Sequence, residues 1–244
     1  MRSSREFFAF RTSGAYNKRR APLGSGICDD FLVTDGRLIT LEGSEGCGKS
    51  TQAALLAQRI RALGRTVIET REPGGTPLGE EIRHLLKYHA AGRGMSPQAE
   101  LLLFSASRAQ LVRDVIRPAL AGGKVVVCDR FLDSSTMYQG IARGIPVTLV
   151  QHIHELAVDG TLPDLTIVLD MDPENARARA LRRPRPVGGA EDRMEAEPPE
   201  FYQKITEGYR ALANAEPRRV RLVSAEGSRD EVSARIWEEA RHVL

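Results

Sequence analysis

The hydrophobic pattern of the chain changes character near residue 35. Beyond it, short apolar runs alternate with longer stretches in which apolar residues recur every three or four positions, the signature of strands and amphipathic helices in a parallel α/β sheet. The runs at 38–41, 67–69, 125–128, 166–169 and 220–223 predict five strands, each flanked by helical sequence. Helical spacing covers 50–63, 77–88, 97–120, 146–158 and 173–182, and several of these stretches open on a proline, whose fixed φ suits a first turn. Gly64 and the pair Gly122 and Gly123 supply stops. The last segment begins Ser228-Arg-Asp-Glu231, a capping box, and continues with Val232, Ile236, Ala240 and Val243 on one face, so it is expected to close against the sheet. No internal repeat is present. The longest aliphatic runs span only a few residues, which excludes a membrane-crossing helix of about 20 residues.

Composition narrows this picture a little. A chain of 244 residues, 41% hydrophobic and 27% charged, is neither collagen nor coiled coil nor disordered throughout, and it can bury a sizeable core. The net charge of +3 is small but unevenly placed: within residues 1–28 six basic groups face Glu6 alone, so the remainder is slightly acidic. Nucleic acid therefore lacks support as a partner. Residues 1–35 read as a basic, disordered or weakly ordered extension without an apolar secretory core. Their Arg-rich, acid-poor composition also matches an organellar transit peptide, but a solvated tail or an over-long translation start is the favoured reading. Cys28, Cys47 and Cys128 are odd in number and lack C-x-x-C spacing, so neither a disulfide framework nor a zinc site is expected and a reducing cytoplasm fits best.

The chemistry begins directly after the first strand. Gly43-Ser44-Glu45-Gly46-Cys47-Gly48-Lys49-Ser50 fits G-x-x-x-x-G-K-[ST] at every fixed position and leads into a helix with Thr51. Glycines let backbone N–H groups turn inward around a phosphate, and the helix N-terminus adds partial positive charge at the same point. These nine residues are the expected ATP-binding segment, with Lys49 reaching the β- and γ-phosphates, Ser50 a ligand for Mg²⁺ and Cys47 a small filler. Switch and motor proteins that share this loop usually follow an apolar strand with Asp-Glu or Asp-x-x-Gly. Here the strand ends Val-Cys-Asp129-Arg130-Phe131, and an arginine in that place suggests a second phosphate to be held.

Three stretches together resemble the thymidylate kinase family of nucleoside monophosphate kinases: 41–52 (LEGSEGCGKSTQ), 70–77 (TREPGGTP) and 129–140 (DRFLDSSTMYQG). The resemblance runs from about residue 38 to 243 and leaves the tail unmatched. It implies a three-layer P-loop NTPase fold, with a five-stranded parallel sheet flanked by helices, a kinase domain over 36–244 and a mobile lid at about 176–197. It also implies transfer from ATP to dTMP with Mg²⁺, a cytoplasmic homodimer and no membrane partner. Another P-loop deoxynucleoside or nucleoside monophosphate kinase, or a nucleotide-dependent binding module without catalysis, would share much of this layout.

The same likeness assigns residues. The turn holding Glu72 borders the monophosphate pocket, with Arg83 a phosphate ligand or else part of a solvated helix face. Phe104 stacks on thymine, and Arg108, four residues on along the same apolar face, reaches toward base and phosphate. Arg130 holds the acceptor phosphate and Asp129 organises Mg²⁺ through water. Ser134, Ser135, Tyr138 and Gln139 line the thymidine, Gln139 near the base and Tyr138 near the sugar, unless they form only a polar helix start. Glu45 is matched to the carboxylate that accepts from the deoxyribose 3′-OH. Some family members carry an arginine next to it; this chain has Gly46, so the missing cation is expected from the arginine-rich stretch 177–185, with Arg179, Arg182 and Arg183 as candidates. A solvated charge run is the alternative there. The stretch 184–190 departs from the compact family lid, and which arginine enters the site stays open.

Overall fold

The structure, a computed structural model, describes residues 36–182 and 192–244. Its strands are β1 (Arg37–Glu42), β2 (Val67–Arg71), β3 (Val125–Asp129), β4 (Leu165–Asp170) and β5 (Val220–Ser224), and the helices in chain order are α1 (Lys49–Ala62), α2 (Pro77–Lys87), α3 (Pro97–Leu111), α4 (Arg117–Ala121), α5 (Leu132–Ser135), α6 (Val147–Val158), α7 (Pro173–Leu181), α8 (Pro199–Ala215) and α9 (Arg229–Ala240). All strand pairs are parallel, in the order β2-β3-β1-β4-β5. The five strands expected from the apolar runs are all present. They read as near-continuous apolar runs because helices cover both faces of the sheet.

Side-chain alternation sorts the strands between two cores. Ile39, Leu41, Val125, Val127 and Ile167 pack with residues of α1 and α9, such as Leu56, Ile60 and Ile236. Leu38, Val126 and Cys128 point the other way, toward Leu111, Ile116 and Phe131. Helix α9 carries the expected capping box at Ser228 and Glu231 and buries Val232, Ile236 and Ala240. The indole of its Trp237 lies under the guanidinium of Arg59, 4.3 Å from the ring centre.

The second face carries a polar seam. Thr40, Glu42 and Thr166 are fully buried at even positions of β1 and β4. Thr40 and Thr166 share a hydrogen bond of 2.9 Å, Thr166 donates to Asp133 Oδ2 at 3.2 Å, and Arg219 grips both oxygens of Asp133 at 2.6 and 3.0 Å. Asp133 is 0% exposed, and a carboxylate so placed must be paired. The seam anchors α5 to the centre of the sheet. It thereby fixes the segment from which the candidate site is built.

Two elements differ from expectation. Positions 97–120 were expected as one helix, but α3 widens into a π-helical turn at Val112–Ile116 before α4. Pro118 has no N–H to donate backward, and the ladder widens just ahead of it. No element was expected at 199–215, where α8 buries Phe201, Tyr202, Ile205, Tyr209 and Leu212 on one face. Residues 132–142 continue from α5 into a π-helical segment, Thr136–Ala142.

Candidate active site

Strand β1 lies between β3 and β4, the point at which chain connections diverge to opposite sides of a parallel sheet and leave a crevice at the strands' C-terminal ends. Register places Leu41 of β1 beside Asp129 of β3, so the loop after β1 and the arginine after β3 emerge together. In the loop, Gly43, Gly46 and Gly48 take φ of 135°, 84° and 98°, values that L side chains rarely adopt. Lys49 is 5% exposed and folds over the loop to donate to the Ser44 carbonyl at 2.6 Å. Ser44 is buried, Cys47 is buried with its thiol donating to the same carbonyl, and Thr51 is exposed on the first turn of α1.

Gly46 is required for a second reason. A Cβ there would stand 1.9 Å from the Ala176 carbonyl oxygen, so α7 leans directly on the phosphate loop, and an arginine at 46 has no room. Gly46→Ala is therefore expected to cost about 2 kcal/mol or more and to weaken nucleotide binding, whereas Gly64→Ala, with a similar φ but open space around it, carries only the backbone strain of about 1 kcal/mol. Denaturation midpoints check this. Equal losses in the two variants would remove the contact with α7 from the explanation.

Arg130 is the best-held cation of the site. Its φ of 71° is left-handed, which costs a non-glycine residue about 1 kcal/mol. The guanidinium donates to the Gly43 carbonyl and Ser134 Oγ at 3.0 Å, to Glu45 Oε1 at 2.7 Å and to the Tyr138 hydroxyl at 3.0 Å. Behind it, fully buried Glu42 accepts from Phe131 N at 2.8 Å, Ser134 Oγ at 2.6 Å and the Tyr209 hydroxyl at 2.7 Å. Burial, then the nearby Asp133, pushes the Glu42 carboxyl upward against the pull of Arg130. Glu42 thus fastens the backbone on the far side of Arg130 and the helix start beyond it.

Ser50 Oγ hydrogen-bonds Asp129 Oδ2, and Asp129 Oδ1 is buried with no hydrogen-bond partner among the described residues. A hydroxyl beside a carboxylate with an unmet oxygen atom, at the mouth of a phosphate loop, fits a hard divalent cation such as Mg²⁺.

These groups open onto one cavity of about 630 Å³. Glu45, Lys49 and Ser50 stand on one wall with Asp129 and Arg130; Glu72, Arg83 and Phe104 come from the turn after β2 and from α2 and α3; Ser134, Ser135, Tyr138 and Gln139 complete it. Arg83 donates to the Pro73 carbonyl at 2.9 Å. Arg108 is placed differently from expectation. It is 1% exposed and committed to Glu72 (2.8 Å), the Phe131 carbonyl (3.2 Å) and Ser135 Oγ (3.1 Å), so it braces the wall from behind instead of reaching into the space.

Burial pushes the Glu72 carboxyl up to about 7 from 4.5, with Arg108 opposing. A carboxyl raised in the folded state binds more protons there than in the unfolded chain, so its stabilising contribution is complete below about pH 4.5 and fades as pH rises toward 7. The Tm of the wild type relative to Glu72→Gln should fall between about pH 5 and 7 and level off above. A difference that stays flat across that window contradicts the assignment.

Among the lid arginines, Arg179 is placed differently from expectation. Arg179 donates to the Ala225 carbonyl at 3.3 Å and lies 3.8 Å from Glu226, on the side of α7 away from the cavity. The reason is helical phase: Ala176 and Ala180, four apart, face the loop, and position 179 falls about 80° off the middle of that face. Arg182 is exposed at the end of α7, and Arg183 lies outside the described residues. Residues that the pattern did not single out include Glu42, Glu100, Asp133, His154 and Tyr209, all buried polar groups around the cavity wall. The available signal was a carboxylate closing an apolar strand at Glu42 and another on the buried face of α3 at Glu100.

A lysine-bearing phosphate loop that shares one cavity with an arginine at the end of the neighbouring strand defines a P-loop phosphotransferase with a phosphorylated acceptor. The family model for thymidylate kinase matches residues 41–236. Proteins named thymidylate kinase are 50% identical over 199 residues in Synechococcus sp. (strain JA-2-3B'a(2-13)), covering 82% of this chain and 91% of that one, and 46% identical over 205 residues in Deinococcus radiodurans, covering 84% and 96%. A solved structure of thymidylate kinase from Ehrlichia chaffeensis superposes with a TM-score of 0.68 at 30% identity, over 84% of this chain and 98% of the other. The chain belongs to the thymidylate kinase family.

Proposed function

We propose that the chain transfers the γ-phosphoryl group of ATP to dTMP, giving ADP and dTDP, with the acceptor phosphate seated at Arg130 and the donor phosphates in the loop that ends at Lys49. The observation that carries this is Arg130, which takes a left-handed backbone and whose guanidinium is fixed by four hydrogen bonds in the cavity it shares with Lys49. Such fixed cations act where charge develops and need no reorganisation at the moment of reaction. The dTMP phosphate has a second pKa near about 6, so it is mostly dianionic at neutral pH and attacks in line without a general base. Mutual repulsion of two polyanions is the obstacle, and Lys49 and Arg130 together offset it. Ser50 and Asp129 would hold Mg²⁺, which supplies further positive charge to the donor phosphates.

The rest of the wall suits the nucleoside. Phe104 is half-buried at the cavity and offers a ring face for a base, with Gln139 beside it. Tyr138 closes on Arg130 with its ring 4.9 Å from the guanidinium carbon, which narrows the space for a 2′-substituent on the sugar. Glu45, paired with that guanidinium, is placed to accept from a sugar hydroxyl next to the phosphate. Cys47 and Cys128 are free thiols, in keeping with a reducing cytoplasm, and a homodimer follows the family resemblance. No helix of the described residues is long and apolar enough to cross a membrane. Purified protein with Mg²⁺ and ATP, offered thymidine, dTMP, dUMP and dCMP separately, should release ADP fastest with dTMP. Turnover of thymidine without turnover of dTMP overturns the reading.

A further inference from the structure

Gln139 is 1% exposed and lies in the cavity wall beside Phe104. Its side-chain NH₂ donates to Glu100 Oε1 at 2.8 Å. Its side-chain oxygen accepts no hydrogen bond among the described residues and is not sealed from the cavity. An amide of this kind has two orientations that differ by exchange of oxygen and nitrogen, and only the partner decides between them. Here the partner is a carboxylate, which can only accept, so it must face the NH₂ group.

Glu100 in turn is kept a carboxylate. It is 1% exposed, and two arginines close on it: Arg143 Nε at 3.2 Å from Oε1, and Arg193 Nη2 at 2.5 Å from Oε2. Burial alone would raise the group, but the hydrogen bonds from Gln139 and Arg143, with Arg193, hold it below the ordinary range. A protonated Glu100 could donate and let the amide turn over; an ionised one cannot.

We propose that Glu100 is a positioning residue for base selection: by fixing the Gln139 amide with its oxygen toward the cavity, it makes the site select pyrimidines that carry a hydrogen on N3, as thymine and uracil do, against cytosine, whose N3 is a lone pair. The inference rests on the reading that the cavity takes the nucleobase beside Gln139. An N3–H meets the amide oxygen as donor to acceptor, whereas a cytosine N3 would set two acceptors against each other. Sites built to pair a substrate hydrogen reject analogues that lack it far more strongly than apolar pockets reject shape changes.

The test is the ratio of kcat/KM values for dTMP, dUMP and dCMP in wild type, Glu100→Gln and Glu100→Asp. The glutamine can present either its oxygen or its NH₂ to Gln139, so the amide loses its fixed orientation. The aspartate keeps the charge but withdraws the acceptor by one methylene from Gln139, as it does from the arginines, and it decides the matter if the glutamine variant does not fold. In both, the preference for dTMP over dCMP is expected to drop about tenfold or more, while the preference for dTMP over dUMP, both bearing N3–H, stays put. Equal losses on all three substrates, or an unchanged dTMP to dCMP ratio, overturn the proposal and leave Glu100 a structural residue. Wild-type protein with no dTMP turnover at all would instead reject the functional reading on which the proposal rests.

Discussion

Lys49→Ala is expected to lower kcat for dTDP formation by about 10³-fold while leaving the Tm within a few degrees of wild type. The asymmetry follows from what Lys49 touches. Its ammonium group donates to the Ser44 carbonyl and lies 3.7 Å from the Cys47 sulfur, so it touches the core only at its edge, through Cys47 of the phosphate loop. The hydrophobic cores on both faces of the sheet contain no atom of its head group. What is lost is a positive charge in a confined, poorly hydrated space, where it acts more strongly than it would in water. Single-turnover measurement with Mg²⁺ and ATP, paired with a thermal melt, checks both halves. Retained turnover sinks the assignment of the loop, and a collapsed melt sinks the separation of chemistry from fold.

Replacing Arg130 should act on the other substrate. Arg130→Ala is expected to reduce kcat/KM for dTMP by about 10³-fold with a smaller change in the KM for ATP, because Ser134 and Tyr138 among its partners line the acceptor part of the cavity while Gly43 and Glu45 belong to the phosphate loop. Arg130→Lys should recover little. An ammonium on a flexible stem cannot serve the Gly43 carbonyl, Ser134, Glu45 and Tyr138 together, and the planar fork that spans them is a property of arginine. If the lysine variant came within a few fold of wild type, a point charge would suffice, and the fixed geometry built by Glu42 and the left-handed backbone would have no catalytic use. The two variants thus divide the cavity: one impairs the donor side and the other the acceptor side.

Much of this is legible in the amino-acid sequence itself. The five strands announced themselves because each is a compact apolar run bounded by turn residues, and the phosphate loop did so because its glycines and lysine sit at fixed spacing. Helix α8 carries its own signal in the chain, since Phe201, Tyr202, Ile205, Tyr209 and Leu212 follow a helical period. Arg179 illustrates a different lesson. The phase of α7 was implicit in Ala176 and Ala180, and it already turned position 179 away from the loop. The buried polar groups were beyond a local reading. Glu42 meets Tyr209 across 167 residues, and Arg219 meets Asp133 across 86, so nothing in either neighbourhood shows that a partner exists. Arg108 belongs with them: its spacing from Phe104 was visible, but not the Glu72 carboxylate that holds it behind the wall.

The placement of Trp237 has a consequence for how this enzyme can be watched. It is the chain's single tryptophan, and it rests against Arg59, nine residues after Ser50 and so about 14 Å farther along α1 from the phosphate loop. The near-ultraviolet emission of the protein therefore originates at the base of the sheet, where α1 and α9 meet, and not at the cavity. Its intensity should follow cooperative melting of the whole domain and stay nearly silent when nucleotides bind. That gives the Lys49, Gly46 and Glu72 variants a built-in optical gauge of folding, uncontaminated by occupancy, and it means that ligand titrations need an extrinsic label on the opposite rim.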